Sequence, residues 1–115
     1  MTQKPFVLDK NKALQIVSGN EALAEELLAM LVKELPGYKD SMQKELDNGN
    51  KEELRKIVHK LHGGLRYVGA PALLEITSHT DQHLFELSDE QLRESLIQIS
   101  DEIDRVLEKQ HYNLD

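Results

Sequence analysis

The chain has 115 residues, no cysteine and a formal net charge of −7. That length bounds one domain, 1–115, with room for a real core; the missing cysteines exclude disulfides, thiolate metal sites and cysteine nucleophiles, and the acidity argues against nucleic-acid binding, which needs a basic surface. No apolar run approaches the roughly 20 residues that span a bilayer, and Met1 to Pro5 lack the apolar core of a signal peptide, so a soluble cytoplasmic domain is expected, monomeric in isolation and without direct membrane contact.

In chain order, Asp9 can cap a short first helix carrying Ala13, Leu14, Ile16 and Val17 and ending near Gly19. Asn20 is a good cap for a second helix with Glu21 in its first turn. Its apolar stripe is Leu23, Leu27, Met30, Leu31, Leu35, Tyr38, Met42 and Leu46, in steps of three or four. Pro36 removes a backbone donor inside this stripe. The phase survives the proline, so a kinked continuation is expected rather than a break. Asp47-Asn48-Gly49-Asn50 reads as a turn, with Asn50 capping a third helix that presents Leu54, Ile57, Val58, Leu61, Leu65 and Val68. Gly69-Ala70-Pro71 separates it from a fourth helix with Pro71 in the first turn, where proline is tolerated. The fourth stripe is Leu73, Ile76, Thr80, Leu84 and Leu87. Ser88 and Gln91 form a capping box for the last helix, whose stripe is Leu92, Leu96, Ile99, Ile103 and Val106. Four amphipathic helices on short turns predict an all-α, antiparallel up-down four-helix bundle with a short additional N-terminal helix.

The charge is uneven along the chain. Residues 51–70 hold five basic and two acidic side chains, net +3, whereas residues 71–115 are net −8. The positive segment contains Val58-His59-Lys60-Leu61-His62-Gly63-Gly64. Advancing about 100° per residue, His59 falls about 140° from the core direction of the third helix, Gly63 about 180°, Arg66 about 120°, Arg55 about 100°, Lys56 about 200° and His62 about 80°. His59 is therefore expected on the solvent face, among basic side chains and beside bare glycine backbone. Each interior glycine costs a helix about 1 kcal/mol relative to alanine. Gly63-Gly64 either ends the helix or is kept for another reason, and Leu65 and Val68 hold the phase beyond it.

A neutral imidazole nitrogen is a competent nucleophile toward phosphorus. His62, three residues on, is within reach of a phosphate on His59, and Gly63 clears the approach to the ring. The chain has no glycine-rich phosphate loop and no kinase motif, so ATP binding and kinase activity of its own are not expected. A phosphoryl group would come from, and go to, another protein.

At these residues the sequence resembles the histidine-phosphotransfer (HPt) family, whose pattern stands here as His59-Lys60-Leu61-His62-Gly63-Gly64 followed by Val68-Gly69. The context Leu8-Asp9, Ala13-Leu14, Gly19-Asn20, Leu27-Leu28 and Glu34-Leu35-Pro36 is similar too. In motif it looks closest to the C-terminal HPt domain of BarA-type hybrid sensor kinases. The resemblance implies a phosphorelay intermediate in two-component signalling. His59 would be the phosphoacceptor, His62 would stand where lysine more often neutralises the phosphate, and Gly63 would allow close approach. The implied partners are the receiver domain of a hybrid kinase and a response regulator. No cofactor is implied for this domain, the Mg²⁺ being expected on the receiver. Leu14, Ile16 and Val17 could rim a receiver-docking surface, with Arg55, Lys56, Arg66 and Gln82 around the histidine, or could merely plug the bundle.

Two other readings compete. The helices could form an interaction module with no phosphotransfer. His79 and His83, at i and i+4, have a spacing that can bind Zn²⁺, and His59 and His62 could be read as a ligand pair. Neither pair has a carboxylate in an HExxH or ExxH pattern, so no metal site is expected. His79, Gln82 or His83 could instead hydrogen-bond His59 from the fourth helix.

Overall fold

The computed structural model describes residues 5–112. Residues 1–4, most of the segment read above for a leader, lie outside the described residues, as do 113–115. Five helices follow in order: α1 (Lys10–Ile16), α2 (Glu21–Asp47), α3 (Lys51–Leu65), α4 (Pro71–His83) and α5 (Asp89–Lys109). No strand occurs among the described residues.

The caps are those the sequence predicts. The Asp9 side chain accepts from the Lys12 amide, Asn20 from Leu23, Asn50 from Glu53 and Ser88 from Gln91, while the Gln91 side chain returns a bond to the Ser88 amide at 2.9 Å. Each satisfies an amide that has no partner inside its helix. α4 starts without a side-chain cap, on Pro71, whose missing N–H is one of those amides in any case.

α2 packs on α3, α3 on α4, α4 on α5 and α5 back on α2. This closed ring of sequential neighbours on short turns is the up-down bundle, and α1 lies against α2 at one end. Leu28, Leu35, Leu54, Val58, Leu61, Leu65, Leu73, Leu92, Ile99, Ile103 and Val106 are fully buried inside the ring. α2 runs unbroken through Pro36. α3 includes Gly63 and Gly64 in its last turn and ends one residue later, at Leu65, so the glycines do mark its end; the helix does not continue to Val68, which is buried from the turn beyond.

The first half of the α2 stripe needs correction. Met30 is 64% exposed and Leu23 is also exposed, while Ala24, Leu28, Leu31, Leu35 and Met42 face inward. Apolar residues occupy adjacent positions at Leu27-Leu28 and Met30-Leu31-Val32, so two faces of the helix were available to the pattern. The packed one is a residue further along and uses small Ala24, leaving Leu23 and Met30 outside.

The α3–α4 turn is held from both chain ends. The Asp9 amide donates to the Gly69 carbonyl at 2.8 Å and the Ala72 amide to the Phe6 carbonyl at 3.1 Å. From the other end, the Gly69 amide donates to the Tyr112 hydroxyl at 2.7 Å. These bonds fix where α4 starts, and so which of its side chains meets α3 at His59.

Candidate functional site

His59 lies in the middle of α3, its side chain 58% exposed. One turn on, a Cβ built at Gly63 would meet nothing within 4 Å, and one at Gly64 would only touch the Leu31 side chain at 4.0 Å. The space beside the imidazole is therefore open, and Gly63 is not needed for packing. Gly63→Ala is expected to stabilise the fold by about 0.5–1 kcal/mol, because alanine restricts the unfolded chain and favours helix. Gly63→Leu should also stay folded while obstructing a partner's approach to His59. Thermal melts and phosphoryl-transfer rates on the two variants check both outcomes; unchanged transfer in Gly63→Leu would refute the clearance role.

His62 is deeper, its side chain only 13% exposed, as its place on the flank of the core stripe implies. Both rings reach one carboxylate on α4. His59 Nδ1 lies 2.8 Å and His62 Nδ1 2.9 Å from the same oxygen, Oδ2 of Asp81, and the two rings meet edge to face with centroids 6.5 Å apart. The Asp81 side chain is 8% exposed. Its other oxygen, Oδ1, is buried and has no hydrogen-bond partner among the described residues, and the same holds for the Thr77 hydroxyl one turn earlier.

Burial pushes the Asp81 carboxyl up, but the hydrogen bonds and charges of His62 and His59 outweigh it and hold the group below its ordinary value of 3.8. Asp81 is thus ionised at neutral pH and can only accept. Each neutral histidine must then carry its hydrogen on Nδ1, which leaves His59 Nε2 as the free lone pair. An exposed imidazole held in one tautomer by a buried carboxylate is a prepared nucleophile. Because the folded value is depressed, the stability from Asp81 is complete above the ordinary carboxylate value and is lost as pH falls through the lower, folded one. Urea unfolding at stepped pH should show a gap between wild type and Asp81→Asn that narrows below about pH 4.

Asp81 was missed in the sequence. The candidates from α4 were His79, Gln82 and His83, and none of them bonds His59. His79 lines a groove of about 620 Å³ between α4, α5 and the N-terminal segment. The His83 ring packs 4.7 Å from His79 and bonds Glu86 at 3.1 Å, and Gln82 is exposed. The signal lay in the phase of the helix. The fully buried positions are Leu73, Thr77, Thr80 and Leu84, and from their mean direction Asp81 falls about 70° to one side, whereas His79 falls about 130° away and Gln82 nearly opposite. Ile76, chosen for its hydrophobicity, is only partly buried and turns the wheel the wrong way.

Arg55, Lys56 and Arg66 are exposed, and Lys56 pairs with Glu53 at 3.0 Å. None of the three bonds the histidines or Asp81. Leu14 on α1 and Val17 just past its end are half-buried, and Ile16 is 43% exposed. From His59 to the end of α3 at Leu65 the helix rises only about 9 Å, so α1, docked at the turn beyond, lies toward the same end of the bundle.

The family model of the Hpt domain matches residues 26–109, which takes in His59, His62, Gly63 and Asp81. The chain belongs to the Hpt domain family. It is 33% identical over 100 residues, 86% of its length, to the signal transduction histidine-protein kinase BarA of Escherichia coli strain K12. To the sensor protein GacS of Pseudomonas syringae pv. syringae it is 35% identical over 69 residues, 60% of its length. It spans only 11% of BarA and 8% of GacS. The HPT domain of a sensor hybrid histidine kinase from Shewanella superposes with a TM-score of 0.83 at 25% identity, over 90% of both chains. An Hpt domain is a phosphotransfer module and not itself a kinase. Among the described residues no helix is long and apolar enough to cross a membrane.

Proposed function

We propose that this Hpt domain is a phosphorelay intermediate: His59 accepts a phosphoryl group from the aspartyl-phosphate of a receiver domain and passes it to the aspartate of a response regulator. The observation that carries the reading is the bond from His59 Nδ1 to the buried Asp81 carboxylate, which leaves Nε2 of the neutral ring unprotonated on a side chain that is more than half exposed. In the forward step the Nε2 lone pair attacks phosphorus and the bond to the aspartyl oxygen breaks, returning a carboxylate to the receiver. As the ring gains positive character, Asp81 stabilises the hydrogen on Nδ1. The step needs an in-line approach and charge neutralisation, mostly from the Mg²⁺ of the receiver; no metal of the domain's own takes part in it. With Nδ1 of His62 bound to Asp81, a bond from His62 to the phosphate has to come from Nε2, which carries a hydrogen only when the ring is protonated.

The exposed apolar residues Ile16, Leu23 and Met30 lie on α1 and α2, which pack together. They extend the docking surface read from Leu14, Ile16 and Val17, and the receiver covers them while reaching over Gly63 to His59. The domain neither binds nor cleaves ATP, and it works in the cytoplasm, as a free protein or as one part of a hybrid kinase.

The test is incubation with receiver domains phosphorylated on aspartate. Phosphate that is labile in acid and stable in alkali should appear on the protein and map to His59. No label on the wild type, with several receivers tried, rejects the relay in favour of an interaction module.

A further inference from the structure

The carboxylate that neither histidine pair has in sequence is supplied across the α3–α4 interface. One donor atom each from His59, His62 and Asp81 lies within 4.8 Å of the other two, and the two Nδ1 atoms are 2.8 and 2.9 Å from Asp81 Oδ2. Tetrahedral Zn²⁺, with ligands at about 2.0–2.1 Å, holds its donors roughly 3.3 Å from one another. Opening each N···O pair by about half an ångström, and bringing the two nitrogens to a similar spacing, would admit the ion. A second observation points the same way. Asp81 is nine-tenths buried, yet Oδ1 has no partner among the described residues, so the carboxylate that both imidazoles contact through Oδ2 keeps an unused oxygen. Buried polar atoms are rarely left so, and a carboxylate leaning on a cation through both oxygens would use it.

We propose that His59 Nδ1, His62 Nδ1 and the Asp81 carboxylate form a binding site for Zn²⁺, and that its occupation shuts off phosphoryl acceptance. Two imidazoles and one carboxylate suit zinc rather than Mg²⁺ or Ca²⁺, which prefer all-oxygen ligands. Three protein ligands leave a fourth position for water on the side where His59 is exposed.

The second half of the proposal rests on the relay reading. For Zn²⁺ to take the Nδ1 lone pairs of neutral His59 and His62, the hydrogen of each ring moves to its Nε2 by exchange with water. No net proton leaves either ring and no covalent bond to the protein changes. The nitrogen that would attack phosphorus now carries hydrogen and has no lone pair. The bound ion and the incoming phosphoryl group thus compete for the two tautomers of one imidazole.

Calorimetric titration of the metal-free protein with ZnCl₂ in a non-chelating buffer should show one ion per chain. Loss of a ligand should weaken binding at least as much as the roughly 10- to 100-fold that loss of an outer-shell partner costs, in Asp81→Asn and in His62→Ala alike; His79→Ala should bind as the wild type does. Long-range ¹⁵N–¹H spectra should show His59 passing from the Nδ1–H to the Nε2–H form as zinc is added. Absence of binding at millimolar zinc, binding unchanged in either folded ligand variant, or binding lost in His79→Ala would overturn the site. None of these readings uses a receiver, so the site can fail while the relay stands, and a wild type that takes no label in zinc-free buffer fails the relay alone. The shut-off is read by adding zinc to the domain at one ion per chain before mixing with phosphorylated receiver; undiminished labelling of zinc-loaded domain overturns it.

Discussion

Asp81→Asn is expected to slow phosphoryl acceptance about 10- to 100-fold, and His59→Gln to abolish it. The asparagine keeps the size of the side chain and one acceptor oxygen, so both imidazoles can still be hydrogen-bonded and the bundle should form. The charge is lost, along with the ability to dictate a tautomer. An amide turned with its nitrogen toward His59 donates to Nδ1, which places the ring hydrogen on Nε2 and removes the nucleophile. An amide turned the other way preserves the tautomer but no longer stabilises the positive ring that forms as phosphorus is attacked. Both outcomes lower the rate, by less than in a buried catalytic triad, because the exposed His59 ring can still reach the productive form unaided. The measurement is single-turnover transfer from one phosphorylated receiver to wild type and variants, with ¹⁵N spectra reading the tautomer. If Asp81→Asn transfers at the wild-type rate while its tautomer changes, Asp81 is structural and not a positioning residue for the reaction.

The contrast between His59 and Asp81 shows what the sequence can and cannot carry. His59 was legible because its outward direction follows from five or six aliphatic residues on its own helix, and because glycines at helical positions stand out against their cost. Four of the caps were legible for the same local reason: Asp9, Asn20, Asn50 and Ser88 each bond an amide three residues ahead, within one turn of chain. Asp81 acts across a helix interface, 22 residues from His59 and 19 from His62. Its direction follows once the fully buried Thr77, a polar residue that a search for apolar stripes passes over, takes the place of the partly buried Ile76. The error in α2 is the converse. There the apolar residues were too many, and only packing against α3 and α5 decided between Leu28 and its neighbours. Local chemistry thus pointed to His59 and the frame, while the carboxylate bonded to it needed the interface.

The turn that sets this interface should be the most sensitive point in the fold away from the core. Gly69→Ala is expected to cost roughly 3 kcal/mol and to lower the melting temperature by about 10–15 °C. The backbone of Gly69 is not in the left-handed region, so glycine is there for space and not for conformational freedom. A methyl at this position would run into the backbone carbonyl oxygen of Asp9, and would also stand 3.0 Å from the Ala13 amide and 3.2 Å from its Cβ. The first two obstacles are backbone atoms of the segment that caps and begins α1, which cannot swing aside as a side chain can. Relief requires α1 to move off the turn. That movement would lose the bond from the Asp9 amide to the Gly69 carbonyl and expose Ala13, now 1% accessible. It would also disturb the bond from the Gly69 amide to Tyr112, whose loss leaves a buried donor unpaired at about 1–3 kcal/mol. Thermal melts measure the total, and hydrogen exchange locates it: the Asp9 and Gly69 amides should lose protection while those of Leu61 and Ile103 in the bundle keep theirs. A melting temperature within a few degrees of wild type would show that α1 can shift at little cost. The opposite signs expected for alanine at Gly63 and at Gly69 separate two settings of one residue: open space beside His59, and space already filled by the chain itself.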